Sequence, residues 1–208
     1  DLIREVVEVN AELRGIMTKH YSTSNIILSV GGDHSMGLGS VAGAVAGSEK
    51  LKKDPKVGVV WFDAHPDINI PETSPSGNIH GMPLACAVGK GPEQLRSVMT
   101  KYIHQADITY VGIRSIDYGE REEIDNYNIT NFTAEDVKRV GMQKVIETIK
   151  AKYEDYDSIH LSFDIDGIDP AYIVGTGTPV EGGVSLEDSL FFLREMSKIP
   201  KVHSIDIV

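Results

Sequence analysis

Two runs of apolar, β-prone residues lead directly into clusters of aspartate. Val57-Gly-Val-Val-Trp-Phe62 is followed by Asp63-Ala-His-Pro-Asp67, and Ile159-His-Leu-Ser-Phe163 by Asp164-Ile-Asp166. Short continuous apolar runs of this kind read as strands buried on both faces, the condition of a parallel sheet covered by helices. Open α/β sheets keep their functional groups at the carboxyl ends of the strands. A third run, Ile26-Ile-Leu-Ser-Val30, enters Gly31-Gly-Asp-His34 and offers another imidazole at the same edge. Carboxylates crowded together cannot all stay ionised without a cation, so convergence of these groups implies bound metal or raised pKa values. An oxygen-rich set with two histidines suits Mn²⁺ better than a thiolate-seeking ion.

The rest of the chain alternates in the same sense. After an opening amphipathic helix come a strand at 26–30, a helix over about 36–52, a strand at 57–62 and a helix near 92–104. A strand at 108–113 precedes helices near 119–126 and 134–154, then a strand at 159–163, a helix near 185–198 and a closing strand from His203. Because each parallel pair needs a crossover, this order predicts an α/β fold with a mostly parallel sheet between helical layers. The segment from Asn69 to Pro83 is polar and rich in Gly, Pro, Ser and Thr, and a loop of that length inside a compact domain is usually functional.

At 208 residues the chain fits one domain, spanning 1–208, and its 41% hydrophobic and 25% charged content is that of a globular protein with a substantial core. A net charge of −11 argues against a nucleic-acid partner, which would need clustered Lys and Arg, and no apolar stretch is long enough for a membrane helix. The single cysteine, Cys86, rules out an internal disulfide framework, fits a reducing compartment such as the cytoplasm, and reads as a small buried hydrophobe. The chain opens at Asp1 inside a helical pattern and closes within a strand, which reads as a piece of a longer protein. A targeting segment would then lie upstream, leaving a mitochondrial address open.

Each motif has a plainer reading. Gly31-Gly-Asp-His34 fits equally well as a strand-to-helix turn in which Asp33 or Ser35 caps the helix. Asp63, His65 and Asp67 are harder to reduce to a solvated turn, since alternate residues leaving a buried strand point to one side. Asp164 and Asp166 repeat the spacing. Capping accounts for Asp169 before Pro170 but not for those two.

Four motifs together resemble the arginase family, the ureohydrolases that use paired manganese ions: Gly-Gly-Asp-His-Ser at 31–35, Asp-Ala-His-Pro-Asp-Ile-Asn at 63–69, Ser-Gly-Asn-Ile-His-Gly-Met-Pro at 76–83 and Ser-Phe-Asp-Ile-Asp-Gly-Ile-Asp-Pro at 162–170. The resemblance implies a three-layer arginase-like fold, incomplete at both ends. It also implies two Mn²⁺, one surrounded by His34, Asp63, Asp67 and Asp164, the other by Asp63, His65, Asp164 and Asp166, with Asp63 and Asp164 bridging. The implied reaction is hydrolysis of L-arginine to L-ornithine and urea. Guanidinium is a poor electrophile, and two ions supply a hydroxide nucleophile at neutral pH. Asp67 would accept the proton and pass it to the leaving nitrogen, and His80 matches the family's proton shuttle.

The same resemblance assigns substrate contacts. Asn69 and Ser76 match the residues that meet the α-carboxylate, and Asn78 and Asp117 belong to the amino-acid recognition shell. Glu120 would assist the amino group, and Thr178 would line the pocket. Agmatine lacks a carboxylate, so a site built to bond one discriminates against it. Two residues depart from the pattern: Ser115 stands where many arginases carry an acid, and Val174 where a proline is common. In the family the closing strand is followed by a glutamate that grips the guanidinium, and the sequence stops at Val208, so residues 1–208 alone are expected to turn over poorly. The rival readings are another guanidino-substrate ureohydrolase, such as an agmatinase, and a catalytically silent metal-binding or assembly module. Family analogy implies a homo-oligomer, trimer or hexamer.

Overall fold

Along Val57–Phe62 the side chains of Val57, Val59 and Trp61 enter one apolar core, and those of Val60 and Phe62 enter another on the opposite side of the sheet. Period-two alternation in a strand that is buried throughout is what a sheet covered on both faces requires. The computed structural model describes residues 2–208. Its elements are α1 (Leu2–His20), β1 (Ile27–Val30), α2 (Gly37–Leu51), β2 (Val57–Phe62), α3 (Pro83–Ala87), α4 (Glu93–Arg96), β3 (Ile108–Ile113), α5 (Tyr118–Asn126), β4 (Thr130–Thr133), α6 (Ala134–Val140), α7 (Met142–Lys152), β5 (Ser158–Phe163), α8 (Leu186–Met196) and β6 (Val202–Ile207).

The six strands form one sheet in the order β1-β6-β5-β2-β3-β4, and every pairing is parallel. The expected α/β, three-layer organisation is therefore present, with an all-parallel sheet. One core joins residues of α2, α3 and α4 to the sheet, and α1 adds Ile3, Val6 and Val7; the other joins α6, α7 and α8. Helices α1 and α2 touch closely because Gly43 and Gly47 leave room: a Cβ on Gly43 would come within 2.6 Å of Met17 Cβ, and one on Gly47 within 2.3 Å of the Tyr21 ring.

Three stretches differ from the sequence expectation. The helix expected over 134–154 is two helices, broken at Gly141, whose φ of 83° lies in the left-handed region and ends α6. The helix expected near 92–104 contracts to α4, and α3 appears instead, started by Pro83 in its first turn. Strand β4, Thr-Asn-Phe-Thr, is polar and half-buried at the sheet edge and carries no apolar run. Cys86 is fully buried in α3, and burial pushes its thiol up to about 12, in keeping with a packing role. Among the described residues no helix is long and apolar enough to cross a membrane.

Register positions the site. Phe62 pairs with Phe163 across β2 and β5, so the residues that follow, Asp63 and Asp164, emerge side by side at the middle of the carboxyl edge. The Asp164 N–H donates to Phe62 O (2.8 Å) and the Asp63 N–H to Val111 O (3.0 Å), which extends the ladder through both aspartates.

Candidate metal centre and active site

Above that edge lies a cavity of about 320 Å³. Its lining includes His34, His65, Asp67, Asn69, Ser76, Asn78, His80, Asp117, Glu120, Asp164, Asp166 and Thr178. Of the residues expected from the sequence, Asp63 alone does not line it; fully buried, it lies beneath the floor.

Two groups of ligand atoms overlap there, His34–Asp63–Asp67 and Asp63–His65–Asp166, and Asp63 belongs to both. His34 Nδ1 lies 2.8 Å from Asp63 Oδ2, 3.1 Å from Asp67 Oδ2 and 3.2 Å from Asp164 Oδ2, while His65 Nδ1 lies 3.0 Å from Asp166 Oδ2 and 3.4 Å from Asp63 Oδ1. Asp164 belongs to neither group, although its Oδ2 approaches His34 Nδ1; its Oδ1 accepts the Asp166 N–H (2.7 Å). Despite these neighbours, His34 Nδ1 has no hydrogen-bond partner. Three carboxylate oxygens surround it without lying on a hydrogen-bond axis, which is how atoms sit when they share a cation between them. Carboxylates and imidazoles form a donor set for a divalent ion of the Mn²⁺ type, so the residues fit the implied metal.

The walls hold these ligands in place. Trp61 donates from Nε1 to Asp63 Oδ2 (3.0 Å), and its ring stacks on His34 with centroids 4.0 Å apart. Asp63 Oδ1 accepts the His65 N–H (2.7 Å), and Asp166 Oδ1 accepts the Ala64 N–H (3.1 Å). Asp33 accepts the Ser35 N–H (2.8 Å), so the turn reading of Gly31–His34 is present, and it leaves His34 buried and facing the carboxylates.

Protonation follows from crowding. Burial opposes a charge on His34, but Asp164, Asp63 and Asp67 outweigh it and hold the imidazole well above its usual pKa. For His65 the same contest, won by Asp166 and Asp63, ends at about 11. Burial and the charge of Asp63 raise Asp67 well above the ordinary carboxylate range, against the pull of His34. These are the protonation states of a metal-free cluster, in which protons occupy the positions of cations.

The substrate-side residues divide in two. Asn69 is buried, donates from Nδ2 to Asp117 Oδ2 (2.8 Å), and accepts from Thr73 Oγ1 (2.9 Å). Glu120 is buried too, but its oxygens accept the Ile68 N–H (3.2 Å) and the Asp117 N–H (3.0 Å), and burial raises its carboxyl to about 7. Ser76 and Asn78 lie exposed on the rim, where the Asn78 N–H donates to Ser76 Oγ (3.2 Å). His80 sits in a single 3₁₀ turn, Ile79–Gly81, at the cavity wall. Thr178 donates to Asp166 Oδ2 (3.0 Å), so it also touches the ligand shell. Ser74 lines the cavity as well and did not stand out in the sequence, since one more serine in a Ser- and Thr-rich loop carries no spacing signal.

The arginase family model matches residues 3–208. The chain belongs to the arginase family. The arginase of Entamoeba histolytica is 63% identical over 206 residues, covering 99% of this chain and 69% of the relative, and an arginase of Staphylococcus aureus is 41% identical, covering 98% and 66%. The chain thus spans about two thirds of the length of these arginases. The crystal structure of the Entamoeba arginase in complex with L-ornithine superposes with a TM-score of 0.96, at 63% identity and covering 99% of this chain and 69% of that one. The Bacillus subtilis arginase gives 0.89 at 38% identity, covering 98% and 68%. A formimidoylglutamase from Bacillus subtilis, 19% identical with a TM-score of 0.79, shares the fold. Fold alone does not choose a substrate, and the arginase assignment rests on the identity and on the site.

Proposed function

We propose that this arginase-family protein hydrolyses L-arginine to L-ornithine and urea with two Mn²⁺ held by His34, Asp63, His65, Asp67, Asp164 and Asp166. The carrying observation is that Asp63 is shared by two ligand groups on the floor of a cavity walled by the Asn69–Asp117 pair. When bound, such ions supply a nucleophile from water at neutral pH and stabilise developing negative charge.

The chain's own residues do the rest. Asp67 lines the cavity above the shared aspartate, and a carboxylate placed there can take a proton from the attacking water and give it to the departing nitrogen. His80, at the wall, is placed to move protons between the cavity and solvent. Asn69 and Ser76 meet the α-carboxylate, while Asp117, oriented by Asn69, meets the α-amino group. Asn78 at the rim and Glu120 behind Asp117 complete the recognition shell, and Thr178 braces Asp166. Family analogy extends the proposal to a homo-oligomer, trimer or hexamer.

Urea release from L-arginine and from agmatine by the intact protein, measured beside Mn²⁺ binding on one sample, tests this reading. Urea from arginine with agmatine slower by at least about 100-fold is expected, because unpaired polar groups penalise the substrate lacking a carboxylate. Preference for agmatine would favour the related guanidino hydrolase. Bound Mn²⁺ without urea would favour a silent metal-binding module.

A further inference from the structure

Behind His34 lies a chain of polar side chains that touches neither the cavity nor the proposed ions. Register aligns it: His160 and Ser162 of β5 pair with Ser204 and Asp206 of β6. All four are fully or almost fully buried, as is Ser40 of α2. Ser162 Oγ donates to Asp206 Oδ1 (2.7 Å), Ser40 Oγ donates to Asp206 Oδ2, and His160 Nε2 lies 3.0 Å from the same oxygen. His160 Nδ1 lies 2.8 Å from Ser204 Oγ, and His34 Nε2 lies 2.7 Å from Ser162 Oγ.

Counting protons sets the direction of this chain. An ionised carboxylate only accepts, and burial alone would raise Asp206; the His160 bond and charge, the charge of His34 and the Ser40 bond bring its carboxyl down to about 2. Ser162 has a single proton, and Asp206 takes it. Towards His34, then, Ser162 Oγ can only accept, so His34 must carry a proton on Nε2. Nδ1, the atom among the three carboxylates, is then free to offer a lone pair once its own proton leaves.

We infer that Asp206 is a positioning residue for the metal centre, acting through Ser162 to hold the His34 proton on Nε2 and keep Nδ1 available to a divalent cation. The inference rests on the metal reading proposed above. A neutral partner would bind the two strands equally well, but an amide or hydroxyl donates as readily as it accepts. In Asp206→Asn the amide oxygen turns to the two donors that remain, Ser40 and His160, and its NH₂ meets Ser162. Ser162 must then donate to His34 Nε2, which leaves the imidazole proton on Nδ1, where it blocks the ion.

Mn²⁺ affinity, read from the resonance of the free aqueous ion at fixed pH, tests this without any assay of turnover. Asp206→Asn and Ser162→Ala should each weaken binding of the ion at His34 by roughly 10- to 100-fold. The double variant should bind within about threefold of Ser162→Ala, because a residue that acts through Ser162 has nothing to act on once Ser162 is gone. Ser40→Ala, which leaves the Ser162–Asp206 link intact, should bind within about threefold of wild type. Melting of the metal-free variants shows that each is folded. Normal Mn²⁺ affinity in Asp206→Asn, or a further tenfold loss in the double variant, would overturn the proposal. Should Asp206→Asn not fold, ring ¹⁵N spectra of Mg²⁺-loaded wild type decide: a proton on His34 Nε2 with Nδ1 bare is expected, and a proton on Nδ1 overturns it. Failure of the wild type to bind Mn²⁺ would instead overturn the metal reading beneath both.

Discussion

Asp67 sits at φ 50°, in the left-handed region that a residue with a Cβ enters at a cost of about 1–3 kcal/mol. Its carboxyl is buried against Asp63, so side chain and backbone both store unfavourable energy at the position asked to move a proton. Asparagine tolerates this backbone and carries no charge. Asp67→Asn should therefore stabilise the metal-free protein by about 1 kcal/mol and lower turnover of arginine by roughly 100-fold or more. Thermal melts and urea release check the pair, and a variant both less stable and fully active would contradict the role. At this level the convergence of carboxylates and imidazoles was legible, because Asp63, His65 and Asp67, and again Asp164 and Asp166, leave buried strands at every second residue. The support behind them was not. His160, Ser162, Ser204 and Asp206 also alternate, but within strands that read as apolar, and only the β5–β6 register shows that the two polar pairs face each other. Ser76 and Asn78 matched the family motif, yet the motif did not reveal that they lie on the exposed rim.

Between elements, Arg114 holds the two loops that close the site. Following β3, it donates to Asp166 O, Gly167 O and Ile168 O on the ligand loop and to Val180 O and Glu181 O beyond Gly175-Thr-Gly-Thr-Pro179. A planar guanidinium can serve carbonyls on both sides at once, which an ammonium cannot. The tethered loop has few apolar anchors of its own, with Val174 88% exposed, so the fork is what keeps Thr178 against Asp166. Arg114→Ala should destabilise the protein by roughly 2–4 kcal/mol and open residues 170–183 to protease, with Arg114→Lys recovering less than half. Limited proteolysis with mass mapping tests this, and a loop that stays resistant in Arg114→Ala would show that it is anchored elsewhere. The alternation of strands and helices was readable because each apolar run is bounded by polar or glycine-containing turns. The break at Gly141 and the strand Thr130–Thr133 were not, since the first depends on a single positive φ and the second on pairing at an edge rather than on burial.

For the whole molecule, the central fact is that strands a hundred residues apart in sequence, β2 and β5, lie side by side and bring their aspartates together in a chain of net charge −11. No local pattern encodes that adjacency; it is settled by which apolar faces the crossover helices cover. The negative field it concentrates attracts both metal cations and a guanidinium substrate. Its dependence on pH has a definite sign. In the metal-free fold His34 is held well above its usual pKa and His65 at about 11, so both imidazoles are protonated at neutral pH. Groups raised in this way stabilise the metal-free protein fully below their unfolded value, about 6.5, and lose that contribution as pH rises through the folded value. Metal does the opposite. Each ion that takes an imidazole lone pair must expel its proton, so Mn²⁺ affinity should climb with pH, by up to about two log units per pH unit when both sites fill. Ion present at a hundred times its dissociation constant adds about 2.7 kcal/mol. The gap in melting temperature between Mn²⁺-saturated and chelator-treated protein should therefore widen from pH 6.5 to 8.5 and narrow as the pH is lowered. Calorimetric titrations in buffers of different ionisation enthalpy count the protons directly. Release of no protons, with affinity level across that range, would mean that neither His34 nor His65 is a ligand and that the carboxylates hold the metal alone.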